Sequence, residues 1–101
     1  MAQFDVYRNT NQATATLFPY LLDVQHPILA SLHTRMVVPL GVGIEPIRRL
    51  NPVFHIEGRQ VVMATAEMAG VPLSVLGEKV DSLYAHRQEI FDALDFLVHG
   101  F

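Results

Sequence analysis

Five histidines, one pair of adjacent arginines and two carboxylates three residues apart are the side chains through which this chain could do chemistry. The histidines are His26, His33, His55, His86 and His99. None forms the i, i+4 pair or the short-range cluster that metal sites use. His55, inside "VFHIE", reads as a structural histidine within a strand. Arg48-Arg49 is a short basic spot, and Asp92 with Asp95 forms an i, i+3 acidic pair on a helix face. There is no cysteine, hence no thiolate nucleophile, disulfide or cysteine-based metal site. Neither a phosphate-binding glycine loop nor a nucleophile elbow is present. No metal or cofactor is implied. The remaining oddity is the chain end, "IFDALDFLVHGF", where a helix-like run meets Gly100 and stops on Phe101.

Composition bounds what can position these groups. The chain has 101 residues, 50% of them apolar and 17% charged, which suits one globular domain over 1–101 and excludes disorder. Seven Lys+Arg against ten Asp+Glu leave a formal charge of -3. Proteins that grip nucleic acid by its phosphates carry a basic excess instead, so a protein partner is expected. "MAQFDVYRN" lacks a signal-peptide pattern, and no apolar run has the length of a membrane span. The expectation is a cytoplasmic protein with no membrane contact.

The first two-thirds of the chain reads as strands. "QFDVY" alternates, with Phe4 and Val6 on one face and Gln3, Asp5 and Tyr7 on the other. The polar "RNTNQATAT" reads as a hairpin loop. "LFPYLLDVQ" alternates through Phe18, Tyr20, Leu22 and Val24, and Pro19 implies an edge or a bulge. "RMVVPL" reads as a strand buried on both faces. "PVFHIEGRQVVMAT" reads as a hairpin turning at Glu57-Gly58, and "VPLSVLG" as a further strand. Between Leu40 and Pro52 a loop with one helical turn is expected, with Pro46 in that turn. After Gly77 the period changes. Leu83, Ile90, Leu94 and Leu97 lie at helical spacing, which predicts a C-terminal helix over about 83–98, roughly 22 Å long, with Ser82 as its best N-cap. The fold class is mainly β, a small antiparallel barrel or sheet pair closed by one C-terminal α-helix.

In order, "QFDVYRN", "LLDVQHPIL", "TRMVVPL", "PVFHIEGRQVVMATAEMAGVPLSVLGEKV" and "IFDALDFLVHGF" resemble the CcdB toxins of bacterial toxin–antitoxin modules over essentially the whole chain. The resemblance implies a homodimer of a five-stranded antiparallel sheet with a smaller sheet and a C-terminal helix, related to the SH3-like barrel of MazF-type toxins. It implies a toxin that is not an enzyme, binds the A subunit of DNA gyrase and traps the gyrase–DNA cleavage complex. It further implies a CcdA-type antitoxin with a disordered arm, which neutralises the toxin and joins it in repressing their operon; the toxin alone makes no sequence-specific DNA contact.

Carried over by position, the gyrase-binding residues are His99, Gly100 and Phe101 at the chain end, Asp95 and Val98 on the last helical turn, and Ile28 and Leu29 after the "DVQ" strand. Four of these depart from the best-known members: His99 stands for tryptophan, Asp95 for asparagine, Val98 for phenylalanine and Phe101 for an aliphatic residue. The alternatives are an RNA-cleaving toxin of the MazF-like fold, which would draw on His55, Arg59, Arg48 and Arg49, and an inactive member that binds antitoxin alone.

Overall fold

A computed structural model describes residues 2–100. Its strands are β1 (Asp5–Asn9), β2 (Tyr20–Asp23), β3 (Thr34–Gly41), β4 (Val53–Ile56), β5 (Arg59–Met63), β6 (Ala69–Pro72) and β7 (Leu76–Ser82), followed by helix α1 (Arg87–His99). All pairings are antiparallel, in the order β4-β5-β3-β2-β1-β7. β3 forks: its last residues pair with β5, as in Leu40↔Met63, and its first four pair with β6, from Thr34↔Pro72 to Val37↔Ala69. The two sheets implied by the resemblance are thereby joined through β3 into one curled, seven-stranded sheet. The mainly β fold with one C-terminal helix is as the sequence predicts.

The core lies between α1 and one face of this sheet. Val6, Leu22, Val38 and Leu40 face inward with Phe54, Ile56, Val61 and Met63, and Ile90 and Ala93 of α1 close over them. The other face of the central strands is buried as well. Asp5 and Tyr7 lie beside Leu21, Asp23, Arg35 and Val37, all at most 6% exposed. Alternation correctly sorts these residues onto two faces, but it does not reveal that both are covered.

The Glu57-Gly58 hairpin forms as expected. Both residues have positive φ, 53° and 75°, as a two-residue turn matched to strand twist requires. Glu57 is not glycine, so its conformation carries strain, and its side chain is fastened on both sides. The Tyr20 hydroxyl donates to Glu57 Oε1 at 2.7 Å, and Arg8 Nη2 donates to Oε2 at 2.6 Å while its Nε reaches Glu78 at 2.7 Å. The Tyr20 hydroxyl, and after it Arg8, holds the Glu57 carboxyl below its ordinary value. A carboxyl depressed by folding contributes stability above its unfolded value, and that contribution is lost as pH falls through the folded one. Tyr20→Phe is therefore expected to raise the Glu57 titration midpoint and flatten the acid-side loss of stability; carbon-13 carboxyl titration measures the first and melting against pH the second.

Five expectations need correction. Pro19 marks no edge: β2 is an inner strand between β1 and β3, and Pro19 stands just before it, where its carbonyl accepts from Asn9 N at 3.0 Å. "VPLSVLG" is not one strand, because a 3-10 turn at Leu73–Val75 separates β6 from β7. Leu83 belongs to no helix. It is buried, its N–H donates to Phe4 O at 2.8 Å and so extends the β1–β7 ladder, and α1 begins at Arg87 after a 3-10 turn, Tyr84–His86. Ser82 still serves the chain there, its Oγ accepting from Tyr84 N at 3.3 Å. Leu97 is 38% exposed and not part of the core stripe. Phe4, expected within the first strand, precedes it at φ 74° and packs its ring edge-on against Phe91 and Tyr84.

Candidate functional site

Two structures carry the sequence-assigned residues: the turn after β2 and the end of α1. The turn is a single 3-10 turn, Pro27–Leu29. His26 precedes it in an extended conformation, and its Nδ1 accepts from Ile28 N at 3.1 Å. Proline fits the first position because it has no N–H to satisfy. Leu29 N donates to His26 O and Ala30 N to Pro27 O, both at 3.0 Å. The turn lifts Ile28 out to 81% exposure and leaves Leu29 half-exposed.

What holds this turn to the sheet is the "DVQ" segment, which in the sequence is only a marker for the strand. Gln25 is buried and uses both ends of its amide: Nε2 donates to Leu29 O and Oε1 accepts from Met36 N, each at 2.9 Å. Its own N–H donates to Asp23 Oδ1 at 2.9 Å. The other oxygen of Asp23 takes both Nε and Nη2 of Arg35, the Nε bond measuring 3.1 Å. Asp23 is 0% and Arg35 2% exposed. A charge that deep persists only when paired and hydrogen-bonded, and here each is. Arg35 begins "RMVVPL", and a polar residue at the head of an apolar run is the one signal of it that the sequence holds.

On α1, Ile90 and Ala93 are buried and Leu94 and Phe96 half-buried, after which the helix leaves the core. Asp95 is exposed and Val98 is 72% exposed. Gly100 adopts φ 77° and returns its N–H to Phe96 O at 2.8 Å, a left-handed helix end that glycine takes without penalty. Phe101 lies outside the described residues. His99, the last residue of the helix, is exposed next to Val98.

Leu29 and Leu94 share an apolar groove of about 390 Å³, walled also by Val24, Leu32, Met36 and Met68. The turn and the helix are thus brought together along one groove. Asp95 faces away from it, into a cleft of about 470 Å³ on the far flank of α1 with Asp92, Glu89 and Arg49. Arg49, at φ 72°, holds its guanidinium 4.9 Å from the centre of the Phe96 ring. The acidic residues of the last turns therefore have a cation of their own chain in the same cleft, brought there by a loop whose course no local pattern reveals.

A model of the CcdB protein family matches residues 3–100. The chain belongs to the CcdB family. It is accordingly a CcdB-type toxin of a toxin–antitoxin module, and the buried Asp23–Arg35–Gln25 assembly is what this CcdB chain uses to present the Ile28–Leu29 turn. Of the side chains the RNA-cleaving alternative would draw on, His55 pairs across the ladder with Gln60 and Arg59 with the buried Ile56, adjacent pairs that point to opposite faces, and Arg49 stacks on Phe96. Among the described residues, no group of three His, Cys, Asp or Glu is placed to hold a metal ion.

Proposed function

We propose that this toxin acts in the cytoplasm as a homodimer that binds the A subunit of DNA gyrase through Ile28, Leu29, Asp95, Val98, His99, Gly100 and Phe101, and traps the cleaved gyrase–DNA complex. It works by binding and not by catalysis, and a CcdA-type antitoxin neutralises it. The observation that carries this reading is the exposure of large aliphatic side chains at positions the family resemblance assigns to the partner. Ile28 at 81% and Val98 at 72% are the two most exposed large apolar residues described, and the turn and helix that bear them border one apolar groove. Scattered exposed aliphatics are ordinary on a protein surface; aliphatics carried on elements that border an apolar groove support a protein contact. Purified protein added to gyrase and supercoiled DNA is expected to accumulate covalent double-strand breaks, and a CcdA-type peptide is expected to prevent them. Unbroken DNA at saturating toxin, or degradation of added RNA, would sink the reading.

Exposed apolar side chains support the homodimer as well. Leu32, Met36, Met68 and Leu73 are 38–47% exposed in a chain with few charges to spread around them. Light scattering is expected to give twice the mass of one chain at micromolar concentration, and a monomer there would remove the two-fold engagement of gyrase.

A further inference from the structure

We infer that His26 is the positioning residue of the Ile28–Leu29 turn, and that it holds the turn only while its imidazole is neutral. The inference rests on the gyrase-binding reading for its functional consequence but not for its structural one.

The Nδ1 of His26 accepts the Ile28 N–H at 3.1 Å, which places the ring proton on Nε2. Pro27 has no N–H, so the amide of Ile28 is the first in the turn that needs an acceptor. Residues that usually cap in this manner are serine, threonine, asparagine and aspartate, whose oxygens remain acceptors near neutral pH. A histidine differs. Once protonated, both ring nitrogens are donors, and Nδ1–H would confront the N–H of Ile28. The bond would then be replaced by a repulsion between two donors.

The far end of the turn does not titrate, because Leu29 O is held by the amide of Gln25. Protonation would therefore release the leading end alone, around the most exposed aliphatic residue described. The described lining of the groove provides nothing to offset this. His26 lines the apolar groove, and none of the groove's other lining residues, which come from the segments flanking the turn, from β3, from β6 with Met68 before it, and from α1, is charged or titratable. Described ion pairs do not include His26.

The test uses the full chain and two variants, His26→Asn, which keeps an acceptor that does not titrate, and His26→Ala, which removes it. Amide order parameters of Ile28 and Leu29 are measured in free protein at pH 7.5 and 5.5, spanning the interval in which histidines charge. Wild type is expected to fall from rigid values of about 0.85 toward 0.6 as pH drops. His26→Ala is expected to be low at both, and His26→Asn high at both. Equal order in wild type and His26→Ala, or the same pH trend in wild type and His26→Asn, overturns the inference. Binding to the dimerisation fragment of the gyrase A protein is then read over the same interval. Wild type is expected to weaken several-fold more than His26→Asn, a difference that cancels any contribution from His99. Matching slopes in the two proteins, with both bound, would overturn the positioning role. If order follows the pattern and no protein binds the fragment, the gyrase reading fails and the proton-sensitive cap stands.

Discussion

Removing His99 to Phe101 is expected to abolish gyrase trapping while the protein still folds and melts close to wild type. This is the largest functional effect expected from so small a change. The last fully buried side chain of α1 is Ala93, and the ring of Phe96 under Arg49 is the last side chain with a described contact in the body of the fold before the three deleted positions. Among the described backbone bonds, the deletion loses the Gly100 N–H to Phe96 O bond that ends the helix. The core cluster ends at Ala93, with Leu94 packed against it, so it is left intact. Trapped complexes counted on supercoiled DNA, beside a melting curve of the truncated chain at equal protomer concentration, give both halves of the result. A truncated protein that still trapped gyrase, or one that did not fold, would show the chain end to be structural. A graded version is Gly100→Ala. At φ 77° an L-residue incurs roughly 1–2 kcal/mol, so the end of the chain is redirected without being removed, and trapping is expected to weaken.

Arg35→Met is expected to destabilise the fold by about 3–5 kcal/mol, because it leaves the Asp23 carboxylate buried without its cation. Few single substitutions reach that size. Urea unfolding at fixed protomer concentration measures it, and a loss below about 1 kcal/mol would mean the pair behaves as a surface ion pair despite its burial. Removing both charges, as in Asp23→Leu with Arg35→Met, is expected to recover part of the stability and not all of it. Apolar replacements of a buried pair are often nearly neutral, but here the same carboxylate also accepts the N–H of Gln25. That donor would be left inside without a partner, at a cost of about 1–3 kcal/mol. The double variant should also loosen the Ile28–Leu29 turn, since Gln25 is the tie between Leu29 and β3.

The parts of this fold legible in the sequence are those decided by neighbours in the chain. Glu57-Gly58 is a turn because Gly58, which takes positive φ without penalty, stands at the second turn position between two apolar runs. The α1 segment declares itself by the spacing of Ile90 and Leu94. β7 is hidden for the opposite reason. "LGEKVDS" mixes charges with half-buried residues, and what makes it a strand is β1, near the other end of the chain, as in Val6↔Asp81. Arg35 is only half legible: its place at the head of an apolar run hints at it, but its burial depends on Asp23, which lies on the neighbouring strand. For the site, the resemblance named the presented residues, whereas those that present them, His26 and Gln25, emerge only from hydrogen-bond geometry.

The pairing of β1 with β7 also sets a schedule for the molecule's birth. Closing Val53↔Val62 spans nine residues, and closing Val6↔Asp81 spans seventy-five. By chain entropy the longer closure costs roughly 2 kcal/mol more, so the β4–β5 hairpin is expected to gain protected amides before β1 does in pulse-labelled refolding. Simultaneous protection would refute this order. On a ribosome the consequence is sharper. The first strand made has no partner on its outer side until the last strand has emerged, and α1 follows later still. A growing chain of this kind therefore carries the Ile28–Leu29 turn early but lacks the helical half of its partner-facing surface, with Asp95 and Val98, until α1 is made.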